Sequence, residues 1–427
     1  MRAVDVIPAF PEIAWCGTFA DYRAVMAGTT EASDVAHFIT LWACFAVALG
    51  RRISFYLGDL VYPNVYLDFY GHTGDKKTTA ERRLFQLLPD VPDVRIIQAV
   101  GSTEGLSDAL TIPPIGPRQD TTSLFFWEEL SALLAQGGWK GSTIFEFITQ
   151  TFDCPPEWSL KYRQKPVSIP RPTPTILTAT TPDWFWRHAR PQDFYGGFGN
   201  RFAHFTGRAK PPIPRPTQPD ITILDGIRQK LTALSCVTPT KITLSPQGEC
   251  LWDEFYIDWN STDRSPLLAV AAKRLPVYVL KLAMVYAADE GTLPEIRLEQ
   301  LQAAIGVVLY AEKCTEHLPG CKRSTAPPWP SWKTDSSNGW KRTREAPSAG
   351  CRWRSPGTRP GPKCSTEFST IFKKRSSLMS ARTAPSGRSF QGNAVTAAER
   401  DILFRTYKLS VNRRDGNGGN GFLWERY

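Results

Sequence analysis

The sequence predicts an α/β protein: a mainly parallel sheet with a helical leader before it, a helical lobe after it, and a disordered basic tail. Three observations carry this. Apolar, β-branched and aromatic runs alternate with helical segments between residues 58 and 210, the pattern of parallel βαβ units. Helical periodicity dominates residues 211–317. From Leu318 to Ala394, 77 residues, the only Leu, Ile or Val are Leu318, Ile371 and Leu378. Such a stretch cannot offset its ordering entropy by burial.

The leader, residues 1–57, holds a helix from about Ser33 to Arg51. Its most apolar run, Phe38 to Leu49, is about a dozen residues, short of the ~18 needed to cross a bilayer, so no membrane partner is expected. The core, residues 58–210, opens with a strand at Asn64 to Tyr70, rich in aromatics and closed by Gly71. A short helix near Thr79 to Leu88, a strand near Val94 to Val100 and an apolar run at Leu124 to Trp127 follow. After the Pro-punctuated stretch Pro166 to Pro174 comes a fourth strand, Thr175 to Thr180. A second Pro-rich hinge, Pro211 to Pro219, leads into helices at Ile221 to Leu234, Gly248 to Trp259, Ala271 to Ala288 and Glu295 to Glu312. No internal repeat is visible.

The 427 residues carry 51 Lys+Arg against 41 Asp+Glu, a formal charge of +10. The tail from Leu318 to Tyr427 holds 21 and 7 of these, so residues 1–317 hold 30 basic and 34 acidic side chains. Net charge is therefore no argument for a nucleic-acid partner, and any attraction of the tail to DNA would be nonspecific and salt-dependent. A shift of reading frame near Pro319 would explain the tail's composition. Sequencing the gene across that codon tests this, and an intact frame sinks it. Nine cysteines, an odd number, and a start without an apolar signal core point to a reducing, cytoplasmic location.

The strongest local signal is Gly71-His72-Thr73-Gly74-Asp75-Lys76-Lys77-Thr78-Thr79, between the first strand and a helix. Read against G-x-x-x-x-G-K-[ST], the segment from Gly71 through Gly74, Asp75, Lys76 and Thr79 cradles phosphates. Lys77 is the phosphate lysine, and Thr78 supplies a hydroxyl to Mg²⁺. Lys76 stands where the second glycine belongs, so a basic turn with no ligand is the competing reading. Leu124-Phe125-Phe126-Trp127-Glu128-Glu129 has the form of the acidic partner, with Glu128 on the magnesium side and Glu129 as general base. The same residues also fit an amphipathic helix with solvated glutamates.

Thr180, ending an apolar strand, is the candidate to orient the attacking water; an ordinary Thr-containing strand is the alternative. Gly196-Gly197-Phe198-Gly199-Asn200-Arg201-Phe202 reads as a glycine-loosened turn presenting Arg201, which could reach a nucleotide held by a neighbouring subunit or be a plain surface arginine. Arg274, opening the helix Ala271 to Ala288, is a second such candidate, or a solvated helix-face charge. Cys314, His317 and Cys321 lack a fourth ligand for zinc, with Cys351 and Cys364 far off. His37, His72, His188 and His204 have no metal spacing, and no nucleophile elbow exists.

Taken in order, Thr30-Glu31-Ala32, Pro63-Asn64, GHTGDKKTT, Gly101-Ser102-x-Glu104-Gly105-Leu106, FFWEEL, ILTATTP, GGFGNRF and RLPVYVLKLAMVYA make the chain resemble a domain-of-unknown-function family of P-loop (RecA/AAA-like) ATPase proteins from prophages, plasmids and other mobile elements. That family is similar to the helicase-like halves of phage primases. The resemblance covers about residues 10 to 317. It implies an NTPase core that binds ATP and Mg²⁺ through Gly71, Gly74, Lys77 and Thr78, an acidic motif at Glu128 and Glu129, a sensor at Thr180 and an arginine finger at Arg201. It tolerates a basic residue at Lys76, and it implies a DNA partner and a homo-oligomer. Three functions follow as expectations: an ATPase acting on DNA, a non-hydrolysing nucleotide-binding or DNA-binding adaptor, or a degraded gene remnant.

Overall fold

Among the described residues there are eleven strands: β1 (Ile53–Tyr56), β2 (Leu60–Val61), β3 (Tyr66–Tyr70), β4 (Arg95–Gln98), β5 (Thr121–Trp127), β6 (Glu157–Tyr162), β7 (Lys165–Pro170), β8 (Pro172–Thr180), β9 (Ala203–Phe205), β10 (Thr240–Leu244) and β11 (Glu295–Ile296). They belong to a computed structural model that describes residues 9–318 except 90, 93, 99–102, 112–119, 138–141 and 163–164. The tail beyond Leu318, Gly101, Ser102, Cys321, Cys351 and Cys364 lie outside the described residues.

The central sheet has the order β4-β5-β8-β3-β9, and every pairing in it is parallel. The expected mainly parallel α/β sheet is therefore present. All nine residues of β8 and all seven of β5 are buried, as strands covered on both faces must be. One cover is the helix Asp34–Leu49, whose residues from Val35 to Leu49 are all buried. Ser33 caps it by accepting from the Val35 N–H at 3.2 Å, and Gly50 ends it. A helix that is apolar all round needs neighbours on every side. It packs on the sheet through β8, β5 and β3, and on the helices Gly17–Met26 and Ile221–Ser235.

A second, smaller sheet has the order β11-β10-β1-β2. Here β1 pairs in parallel with β10, Ile53 opposite Thr240, so the leader and the C-terminal helical region share a sheet across the boundaries expected at 57 and 210. All the described residues belong to one unit.

Several boundaries differ from expectation. The helix expected at Thr79 to Leu88 is two pieces, Lys77–Glu81 and Leu84–Leu87, split by a turn at Arg82 and Arg83. The helix expected from Glu295 begins at Leu298, because Glu295 and Ile296 pair with β10. Gln300 accepts from the Arg297 N–H at 2.8 Å and so marks its true start. The helix expected from Ala271 begins at Leu275, with Arg274 as its first flanking residue. The run expected at Leu124 to Trp127 is the end of a longer strand, and Glu128 and Glu129 follow it as a turn rather than as part of a helix.

Candidate functional site

Parallel strands put all their carboxyl ends on one edge of a sheet, and open α/β sheets bind ligands in the crevice there. Three predicted segments meet at this edge. The Gly71–Thr79 loop leaves β3, Glu128 and Glu129 leave β5, and Thr180 ends β8, which lies between them. The Gly71 N–H donates to the Thr180 carbonyl at 3.0 Å, and the Thr180 hydroxyl donates to Glu129 Oε1 at 2.7 Å. With β8 inserted, loop strand and acidic strand stand two spacings apart, roughly 9.5 Å. That gap is wide enough for a phosphate and a water between them.

Asp75 accepts from the His72 N–H at 2.7 Å, and its own N–H returns to the His72 carbonyl at 3.3 Å. Asp75 thus closes the turn with its own carboxylate. Lys76 is left-handed, at φ 55 and ψ 22, the conformation the missing glycine would adopt without a β-carbon. Among the described residues the N–H groups of Thr73, Gly74, Lys76, Lys77 and Thr78 have no protein acceptor. A run of free N–H groups around left-handed residues is a concave anion nest. Lys77 and Thr78 open the helix that follows and are half-buried, while Thr79 is exposed.

The two glutamates are not equivalent. Glu129 faces Thr180, whereas Glu128 Oε1 is engaged by Arg82 at 2.7 Å through Nε, with the Arg82 and Glu128 side chains 60% and 49% exposed. Among the described residues no three His, Cys, Asp or Glu side chains are grouped to hold a metal. Any Mg²⁺ here depends on phosphate oxygens and water for most of its shell, as Mg²⁺ beside a nucleotide normally does. The Thr78 hydroxyl and a carboxylate at the end of β5 fit that demand.

Three groups that the motifs did not single out lie behind the loop. Asp68, on β3, is fully buried and pairs with His204 Nδ1 at 2.9 Å, while its Oδ1 is unpartnered. Burial raises its pKa, and His204 opposes that rise. Glu81, four residues beyond Lys77, is fully buried with neither carboxyl oxygen hydrogen-bonded. Burial first, then Asp68, push its pKa well above the ordinary carboxylate value, and Lys77 pulls the other way. A lone carboxylate in the aromatic strand Tyr66-Leu67-Asp68-Phe69-Tyr70 was a legible sign of a buried pair; Glu81 carried only its i, i+4 spacing from Lys77.

Arg201 and Arg274 stand at the other edge. Arg201 precedes β9, and its carbonyl accepts from the hydroxyl of Tyr278, which also accepts from the Tyr66 N–H at the amino end of β3. Five residue steps separate Tyr66 from Gly71, roughly 17 Å at 3.3 Å each. Neither arginine serves the loop of its own chain. The turn before Arg201 is also tight rather than loose. Gly197, at φ 89, accepts from Arg201 Nη1, and a β-carbon there would stand 2.9 Å from that nitrogen. Arg201 is only 8% exposed, so it is not a surface arginine.

Beside the loop edge, the helix Pro182–His188 starts two residues after Thr180. Trp184 on it is 51% exposed, stacks on His188 with ring centroids 5.8 Å apart, and lies under the Arg187 guanidinium at 5.9 Å. Among the described residues no helix is long and apolar enough to cross a membrane. No family model and no curated protein matches this sequence.

Proposed function

We propose that this chain binds ATP with Mg²⁺ and hydrolyses it, acting on DNA as P-loop proteins of the phage and plasmid primase-helicase type do. The observation that carries the reading is the Thr180–Glu129 contact beside a loop of free N–H groups. Three segments that the sequence offered separately as candidates end at this one sheet edge.

In this reading the Gly71–Thr79 N–H groups and the Lys77 ammonium bind the β- and γ-phosphates. The Thr78 hydroxyl and Glu128 would hold Mg²⁺, which would supply charge neutralisation, and Glu128 would leave Arg82 to do so. Glu129 takes a proton from the attacking water through Oε2, because Oε1 is anchored by Thr180. Arg201 and Arg274 act on the nucleotide of a second copy, which makes the working form a homo-oligomer. The stacked Trp184, His188 and Arg187 support a single-stranded nucleic-acid partner, since exposed aromatics with a cation bind bases without sequence preference.

The test is ATP turnover by the full chain with and without single-stranded DNA. Turnover that DNA stimulates, lost in Lys77→Ala and no longer stimulated in Trp184→Ala, is expected. Turnover unchanged in Lys77→Ala would overturn the reading. The Arg82–Glu128 pair favours a second reading, an adaptor that binds nucleotide without hydrolysis. It predicts Lys77-dependent binding with no phosphate released.

A further inference from the structure

Two surface features take no part in the proposed site, and neither is answered by the chain that carries it. The first is the Pro-rich segment after β9, where Arg208, Pro211, Pro212, Pro214, Arg215 and Pro216 are all exposed. The segment still has a fixed place, because its N–H groups are tied to the loop between the helices Gly17–Met26 and Asp34–Leu49. Lys210 donates to the Glu31 carbonyl at 2.7 Å, Ile213 to Glu31 Oε1 at 2.9 Å and Thr217 to the Gly28 carbonyl at 3.1 Å. The Lys210 ammonium pairs with Asp34 at 2.6 Å. Proline has no N–H, so its rings stand in water without leaving a donor unpaired, and a segment already ordered loses little entropy on docking. Among the described residues neither Arg208 nor Arg215 has an ion-pair partner.

The second feature is the outer face of the helix Pro246–Ser261. Trp252, Phe255 and Trp259 bury its inner face at the i, i+3, i+7 spacing. On the outside Ile257 is 69% exposed and Tyr256 46% exposed, with the Tyr256 ring 5.5 Å from Trp252 between centroids. Around them Glu249, Asp253, Glu254 and Asp258 are exposed, and the helix holds no Lys, Arg or His. Glu249 and Asp253, and likewise Glu254 and Asp258, are like charges at i, i+4, which weakens a helix standing alone. None of the four has an ion-pair partner among the described residues.

The two features complement each other in charge and in surface. Proline rings pack on aromatic side chains wherever proline-rich segments are bound, and guanidinium–carboxylate pairs at the rim fix the register of such a contact. Both surfaces are exposed, so they do not cover each other within one chain. We propose that the segment 208–216 of one copy docks on the 249–258 helix face of a second copy of this chain. The contact is head-to-tail, because each copy gives a different surface. Every docked chain therefore keeps one segment and one helix face free, and assembly continues to a closed ring or a filament according to the rotation between copies. It requires neither a nucleotide nor the loop after β3.

Sedimentation of the full chain across protein concentration, without nucleotide, tests this. The wild type is expected to self-associate as concentration rises. A segment variant, Arg208→Glu with Arg215→Glu, and a helix variant, Asp253→Lys with Glu254→Lys, should each associate about tenfold or more weakly, since each sets like charges opposite one another. Their mixture decides the matter. The segment variant keeps only its helix face and the helix variant only its segment, so together they should form a 1:1 dimer and stop there. A chain carrying all four substitutions should regain self-association. A wild type that stays monomeric, or weakened variants whose mixture stays monomeric, overturns the proposal. A segment variant that associates like the wild type while the helix variant does not would give the helix face to another basic segment, and it overturns the pairing equally. Nucleotide binding is read by a separate titration, so failure here leaves the reading of the loop after β3 untouched.

Discussion

Thr180 donates its hydroxyl hydrogen to Glu129 Oε1 at 2.7 Å, joining the ends of two adjacent strands beside the Gly71–Thr79 loop. The same parallel ladder that sets Trp127 opposite Thr178 carries on in this contact two residues further along. One carboxylate oxygen is thus fixed, and in the proposed reading the other is the base. Glu129→Gln keeps the size and the acceptor for Thr180 but removes the base. Turnover should fall by about 10²–10⁴-fold, the usual contribution of a positioned base, with nucleotide affinity nearly unchanged. Thr180→Val removes only the anchor and should cost less. Equal rates for Glu129→Gln and wild type would remove Glu129 from the chemistry.

Lys76 holds a conformation that a β-carbon makes costly. Left-handed backbone costs an L-residue about 1–2 kcal/mol, and glycine's extra chain entropy costs about 0.5–1 kcal/mol in return. Lys76→Gly should therefore stabilise the fold by about 0.5–1 kcal/mol, seen as a higher urea midpoint at unchanged slope. Lys76→Ala keeps the β-carbon and should give no such gain. A lower midpoint for Lys76→Gly would mean that the lysine side chain makes a compensating contact.

The loop strand, the acidic strand and the Thr180 strand were legible because each is a short apolar run ended by residues whose chemistry is local. Burial on both faces wrote them as continuous apolar sequence. The small sheet was not legible. Its strands β1, β2, β10 and β11 are two to five residues long, and its β1–β10 pair joins segments nearly two hundred residues apart in the chain, which no local pattern encodes. The arginines were legible as residues but not in their setting. Glycines beside Arg201 read as looseness, whereas Gly197 lacks a side chain so that the guanidinium can lie on its backbone. Asp153, which pairs with both arginines, stood in no motif.

Glu81 is buried with both oxygens unpaired, so its neutral form is favoured in the folded chain. Its folded pKa lies above the unfolded value of 4.5; Asp68, Glu128 and Glu129 add to the burial effect and Lys77 opposes it. The stability this proton confers is fully present below pH 4.5 and is lost as pH rises toward the folded pKa, because the unfolded chain releases the proton first. Glu81→Gln removes that dependence. Its stability advantage over wild type, from urea unfolding at pH 5 and pH 8, should widen with pH. A constant gap would show that a partner neutralises Glu81.

His37 gives the opposite slope. Its ring is fully buried against Tyr22, with neither nitrogen hydrogen-bonded. Burial first, then the nearby Lys210 and Arg83 charges, push its pKa from 6.5 down to about 3. The unfolded chain therefore binds a proton that the folded chain refuses, and stability falls as pH drops from 6.5 toward 3. Each pH unit inside that window costs at most about 1.4 kcal/mol. Between pH 6.5 and pH 5 the wild type should lose about 1.5–2 kcal/mol relative to His37→Phe, which keeps an aromatic ring but cannot titrate. Urea midpoints of the two proteins across that range measure the difference. Midpoints that fall in parallel would mean that His37 takes up its proton in the folded state, and that the helix Asp34–Leu49 admits water at its first turn.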